Sequence, residues 1–124
     1  MNIIICGAGR VGVSIATQLS AQGHSVTIID QSSEDIQKIS ASLDVKVILG
    51  KATQPSILEK AGATDTDMII AVTRNDEVNM IICQIAQSIF KITKKIARIR
   101  SQEYLEPQYG KLFSKDNLPI DVII

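Results

Sequence analysis

Short, mostly apolar runs rich in Ile and Val recur along the chain, at Asn2 to Cys6, Ser25 to Asp30, Val45 to Leu49 and Met68 to Val72. Runs of this length with little polar alternation predict strands covered on both faces. Between them the apolar spacing changes to three and four residues. Val11, Ile15 and Leu19 form one helical stripe, which Gly23 ends. Ile36, Ile39 and Leu43 form another, entered through Ser32 with Asp35 three residues on, the spacing of a capping box. A shorter helix is expected after Gly50, with Thr53 or Gln54 as its cap, Pro55 in its first turn and Gly62 as its stop.

The strongest helical pattern comes next. Val78, Ile81, Ile82, Ile85, Ala86 and Ile89 keep the i, i+3, i+4 rule, so the Ile81/Ile85 stripe is expected to face the core. The entry Asn75-Asp76-Glu77 is acidic and the exit Lys91 to Lys95 basic, matching the helix dipole at both ends. Met80 and Cys83 fall on the opposite face, where soft apolar residues hint at a partner subunit. Lys95 to Arg100 alternates as a fifth strand. A helix is expected within Gln102 to Phe113, with Pro107 limiting its start, and Ile120 to Ile124 reads as a sixth strand that runs to the end of the chain.

Strict alternation of strand and helix implies right-handed crossovers and a parallel sheet. The expected fold is α/β: a doubly wound, Rossmann-like domain with a six-stranded, mostly parallel sheet in the order 3-2-1-4-5-6 and helices on both faces. Residues 1–124 form one domain, without internal repeat or linker.

Composition narrows the function. The chain has 124 residues, 45% of them hydrophobic, with two Phe, two Tyr and no Trp, so its core must be aliphatic. Thirteen basic residues balance thirteen acidic ones, which argues against broad electrostatic binding to nucleic acid. No apolar run reaches the ~20 residues that span a bilayer. Cys6 and Cys83 are too few for a disulfide framework or zinc site, and a cytosolic setting is expected.

The chemistry gathers at the first strand–helix junction. Gly7-Ala8-Gly9-Arg10-Val11-Gly12 is a G-x-G-x-x-G between a strand and a helix, and Asp30 ends the next strand. In that context the pattern predicts a dinucleotide or adenine-nucleotide site: Gly7 for the tight turn, Gly9 for close approach of a pyrophosphate, Gly12 for helix–sheet packing. The helix start offers free N–H groups and a positive dipole end to phosphates. Asp30 is expected to accept ribose hydroxyls and to repel a 2′-phosphate, favouring NAD over NADP; capping the helix near Ser32 is its plainer alternative.

Ligands in such sheets lie beyond the carboxyl ends of the strands, which also brings Gly50-Lys51-Ala52-Thr53, Thr73-Arg74 and Arg98 near. Arg10, at a helix start where a cation opposes the dipole, would fork onto a pyrophosphate or a third phosphate, or stand solvated. Arg98 and Arg100 share one face of their strand by alternation and need an anion, from the protein or from a ligand. His24 lies on the far edge.

No second domain and no well-placed acid–base group accompany this site, so it reads either as a cofactor-binding half of an NAD-dependent oxidoreductase or as a binding module without catalysis. The segments Gly7 to Gly12, Asp30, Thr73 to Met80, Ala97 to Arg100, Leu112-Phe113 and Pro119 to Ile124 together resemble the N-terminal RCK, or KTN, domain of the regulators of Trk-type potassium uptake. The similarity covers essentially the whole chain and is most specific from Ala71 to Ala86. It implies the first domain of a longer, non-enzymatic regulator that binds NAD or NADH, with ATP or ADP as further nucleotides. It also implies a homodimer assembling into a ring, cytoplasmic and peripheral on the membrane through an integral potassium transporter subunit. By the same resemblance Gly7, Ala8, Gly9, Arg10, Val11 and Gly12 hold phosphates, Asp30 the ribose, Ala52 and Thr53 border the site, Thr73 and Arg74 line the nicotinamide or adenine side, and Arg98 faces the phosphates. Lys51 departs from the acidic residue that many such domains carry after strand 3, which removes a carboxylate contact there. The alternative that the chain is the tail of a channel or exchanger is disfavoured by Met1 standing directly before strand 1.

Overall fold

Side-chain alternation along β1 (Asn2–Cys6) divides the interior in two. Ile3 and Ile5 enter one apolar cluster with Val26, Ile28, Met68 and Ile70, while Ile4 and Cys6 enter another with Ile29, Ile69 and Ala71. A strand buried on both faces requires helices on both faces. In the computed structural model, which describes all 124 residues, α1 (Arg10–Ala21) and α2 (Ser33–Ser42) cover the first face with Ala16, Ile36 and Ile39. The second is covered by α3 (Pro55–Lys60) through Leu58 and α4 (Asp76–Ser88) through Ile82, Cys83 and Ala86.

The sheet runs β3 (Lys46–Leu49), β2 (Ser25–Asp30), β1, β4 (Met68–Ala71), β5 (Lys94–Ala97), β6 (Val122–Ile123), the 3-2-1-4-5-6 order expected. All five pairings are parallel. Consecutive crossovers reverse direction between β1 and β4, opening a crevice at the carboxyl ends of those two strands.

Four local expectations are corrected. The face of α4 is turned from the one predicted: Ile82 and Ala86 are buried as expected, but Met80 (5% exposed) and Cys83 (0%) join them on the sheet, whereas Ile81 (47%) and Ile89 (56%) are exposed. Small Cys83 and Ala86 let the helix lie close, and Asn79, held inward by hydrogen bonds, fixes its rotation. The fifth strand ends at Ala97 rather than Arg100, because the Arg100 amide turns away to the Asp76 carboxylate at 2.9 Å. Gln102 to Phe113 holds no α-helix; only Pro107–Phe113 coils, as a 3-10 segment with no buried residue. Without an apolar stripe to bury, that segment lacks the packing that makes a helix stable. The capping box at α2 is half formed: Ser32 Oγ accepts from the Asp35 amide, but the Ser32 amide donates to Asp30.

Candidate functional site

The glycine loop is held by contacts that leave no room for side chains at two positions. A Cβ on Gly12 would lie 1.9 Å from the Gly7 carbonyl oxygen, and one on Gly7, whose φ is +118°, would lie 2.8 Å from the carbonyl oxygen of Val72. These contacts draw α1 against β1 and the end of β4. Gly9 is different: a Cβ there would meet nothing within 4 Å. Its lack of a side chain leaves open space above the helix start.

That helix start is unsatisfied. Gly9 caps α1 with no side-chain hydrogen bond, and the first turn contains no acidic residue. The Gly7 amide donates to Ile29 and that of Ala8 to Asp30, but the amides of Gly9, Arg10, Val11 and Gly12 find no acceptor in the protein. Four free donors and the positive end of a 12-residue helix form an anion socket.

Asp30, half-buried at the end of β2, bridges the socket to the next helix. Its Oδ2 accepts from the Ala8 amide at 2.7 Å and its Oδ1 from the Ser32 amide at 2.8 Å. Each oxygen keeps a further lone pair for a hydroxyl donor. Asp30 is not the cap of α2, which is Ser32, but it holds the Ser32 amide in place.

Ala8, Gly9, Arg10 and Arg74 line one crevice of about 540 Å³, joined by Val13, Ser14 and Asp35. Two guanidiniums therefore flank the free amides, one from α1 and one from the turn after β4. Neither makes an ion pair, and neither do Arg98 and Arg100; the salt bridges are Lys38–Glu34 and Lys95–Asp121. Ser14 and Asp35 were missed from the sequence. Ser14 lies one turn after Arg10 on the same face, a spacing that could have found it, whereas Asp35 is free only because Asp30 takes its expected partner.

The other predicted residues stand around this crevice rather than in its lining. Ala52 is buried in the core beside the end of β3, and Thr53 is half-buried next to it. Thr73 is occupied: its amide and Oγ1 both donate to Asn79 Oδ1, at 2.9 and 2.7 Å. Arg98 is half-buried, its amide continuing the ladder to Ala71. His24 stands at the opposite rim with Nδ1 3.2 Å from the N-terminal amine. Burial pushes the Cys6 thiol far above its ordinary value, and the neighbouring Cys83 thiol adds to the effect, so Cys6 is no nucleophile despite preceding the loop.

A larger cleft of about 840 Å³ lies between Gln84 of α4 and the segment from Glu103 to Leu118. It borders neither a helix start nor the sheet switch point. The smaller crevice has the chemistry.

A sequence model of the TrkA-N domain matches residues 3–124. The chain belongs to the TrkA-N domain family. It is 45% identical over its full 124 residues to the Trk system potassium uptake protein TrkA of Azorhizobium caulinodans, and it spans 27% of that relative's length. Among solved structures, the TrkA-N domain of the Escherichia coli inner membrane protein ybaL matches with a TM-score of 0.84 at 19% identity, covering 99% of this chain and 85% of that one. The GsuK channel bound to NAD matches at 0.78 and 20% identity, over 98% of this chain and 21% of that one. The AMP-bound Kef C-terminal domain of Shewanella denitrificans matches at 0.73 and 28% identity, over 88% and 68%. No helix of this TrkA-N domain is long and apolar enough to cross a membrane.

Proposed function

We propose that this TrkA-N domain is the nucleotide-sensing module of a regulator of Trk-type potassium uptake. The observation that carries the reading is the run of four unpaired amides from Gly9 to Gly12 at the start of α1, beside a crevice lined by Arg10 and Arg74, neither of them ion-paired. Such an arrangement suits a di- or polyphosphate, because a single anion could satisfy donors and cations together. Asp30 supplies the ribose acceptor beside it. The ligand class is NAD or NADH, ATP or ADP, in keeping with the structural neighbours solved with NAD, ADP and AMP.

In this reading Gly7 to Gly12 hold the phosphates, Asp30 the ribose, and Arg10, Arg74 and Arg98 the negative charge. Ala52, Thr53 and Thr73 stand behind the lining and support it. The domain does no catalysis. Its nucleotide occupancy shifts the population of one assembly over another, and with it potassium flux through an integral-membrane partner. The domain is the first of a longer chain that dimerises and builds a ring at the cytoplasmic face of the membrane. The oxidoreductase alternative lacks a histidine at the crevice, since His24 stands at the other rim.

Titration calorimetry with NAD, NADH, ATP, ADP and AMP, with particle size measured in each state, tests the reading. Saturable binding of at least one of them, abolished when Arg10 and Arg74 are both replaced by Gln, is expected. Binding that survives the double replacement would move the ligand away from this socket.

A further inference from the structure

The segment Asn75 to Met80 opens α4, and none of its residues lines the crevice. The structure gives each of its polar side chains a partner. Asn75 caps α4 by accepting from the Val78 amide at 2.9 Å. Asp76 accepts from two successive amides past the end of β5, Arg100 at 2.9 Å and Ser101 at 2.8 Å. Glu77 accepts from the Tyr104 hydroxyl at 2.8 Å.

Asn79 is the centre of this arrangement. It is 1% exposed, and with Thr27 and Lys95 it is one of three buried polar side chains. Its Oδ1 accepts from the Thr73 amide and hydroxyl, and its Nδ2 donates to the carbonyls of Thr73 at 3.2 Å and Arg98 at 2.8 Å. All four bonds that a carboxamide can make in this setting are made, and the Thr73 N–H fixes which end is oxygen. No other residue type supplies two acceptor sites and two donors from one short, planar group.

The four bonds reach two different strand ends. Thr73 follows β4 and immediately precedes Arg74, which lines the crevice; Arg98 is the first residue past β5. Neither guanidinium is ion-paired. The backbones that carry both cations are therefore tied to one side chain of α4.

We propose that Asn79 is a positioning residue for the nucleotide site, setting Arg74 and Arg98 at the separation at which both address one phosphate chain. This rests on the nucleotide reading above. It goes beyond it by making the contribution of Arg98 depend on a residue that touches no ligand. Because Asn79 belongs to α4, a shift of either strand end on binding pulls the same helix whose far side exposes Ile81 and Ile89.

A double-mutant cycle tests it in the full-length protein, with ADP as the probe and calorimetry below the unfolding midpoint of every variant. In the native background Arg98→Gln is expected to weaken ADP about tenfold. Asn79→Ala alone is expected to weaken it at least as much. In the Asn79→Ala background Arg98→Gln should then change affinity less than twofold, because the guanidinium is already misplaced. The same Arg98→Gln factor in both backgrounds, or a lowered midpoint with unchanged ADP affinity, would reduce Asn79 to a structural role. Should Asn79→Ala not fold, amide exchange in the native protein decides. ADP should slow the Thr73 amide at least tenfold, together with the amides of Gly9 to Gly12; slowing confined to the loop overturns the proposal. A native protein that binds no nucleotide overturns the nucleotide reading and the positioning role together.

Discussion

Placing a methyl group on Gly9 and another on Gly12 separates binding from folding. At Gly9 the backbone has φ −78° and ψ −169°, extended values open to any residue, and a Cβ meets nothing within 4 Å. Gly9→Ala should gain about 0.4–1 kcal/mol from a less flexible unfolded chain. It should lose a comparable amount because alanine is a poor helix cap. The net change in stability is therefore within about 1 kcal/mol, but the methyl group fills the space above the free amides. A displaced phosphate gives up one or two charge-assisted hydrogen bonds of about 1.5–3 kcal/mol each, which is at least a tenfold loss of affinity. At Gly12 the methyl would stand 1.9 Å from the Gly7 oxygen, so α1 must move away from the sheet. Overpacking of that kind costs about 1–3 kcal/mol or more. A thermal midpoint lowered by several degrees would report it, at roughly 3–5 °C per kcal/mol for a chain of this size. The assay is thermal unfolding and NAD calorimetry on both variants. Equal destabilisation by the two substitutions, or full NAD affinity in Gly9→Ala, would refute the account of the loop as a phosphate cradle.

Three other outcomes are expected. Asp30→Ala should weaken NAD by about 1–3 kcal/mol, and should also destabilise the free protein because the Ala8 and Ser32 amides lose their acceptor; calorimetry and urea unfolding read the two effects. Arg10→Gln should reduce ATP affinity by a larger factor than AMP affinity, and equal factors in competitive titration would mean that Arg10 does not reach the distal phosphates. Stability should fall as pH rises above about 9, the unfolded thiol value. Burial raises both thiols in the folded state, that of Cys83 from 9.0 to about 12, so their neutral forms contribute fully below the unfolded value and progressively less above it. The slope should approach 1.4 kcal/mol per pH unit for each thiol. Urea midpoints between pH 8 and 10.5 should flatten when both cysteines are replaced by alanine.

The strands and the sheet order were legible because each strand is a short apolar run and the glycines and capping residues stand at the turns between them. The positions of the glycine loop between β1 and α1 and of Asp30 at the end of β2 were equally legible, from the spacing together with the strand before and the helix after. What escaped was decided by side-chain bonds between distant segments. The rotation of α4 could not be read from two apolar rows on one helix, because Asn79 chooses between them by bonding Thr73 and Arg98. The early end of β5 depends on Asp76 drawing the Arg100 amide away, a contact across 24 residues. Asp35 was assigned to a cap because nothing in the spacing says that Asp30 reaches Ser32 first.

Both faces of the sheet are filled by isoleucine, with Ile3, Ile5 and Ile28 on one side and Ile4, Ile29, Ile69 and Ile82 on the other, and the chain has no tryptophan. Intrinsic indole fluorescence is therefore silent on ligand arrival. The δ1-methyl carbons form a natural grid of magnetic-resonance reporters spread through the interior. Ile82 lies one turn beyond Asn79, so its methyl signal should register a disturbance at the crevice before any label is attached to the surface.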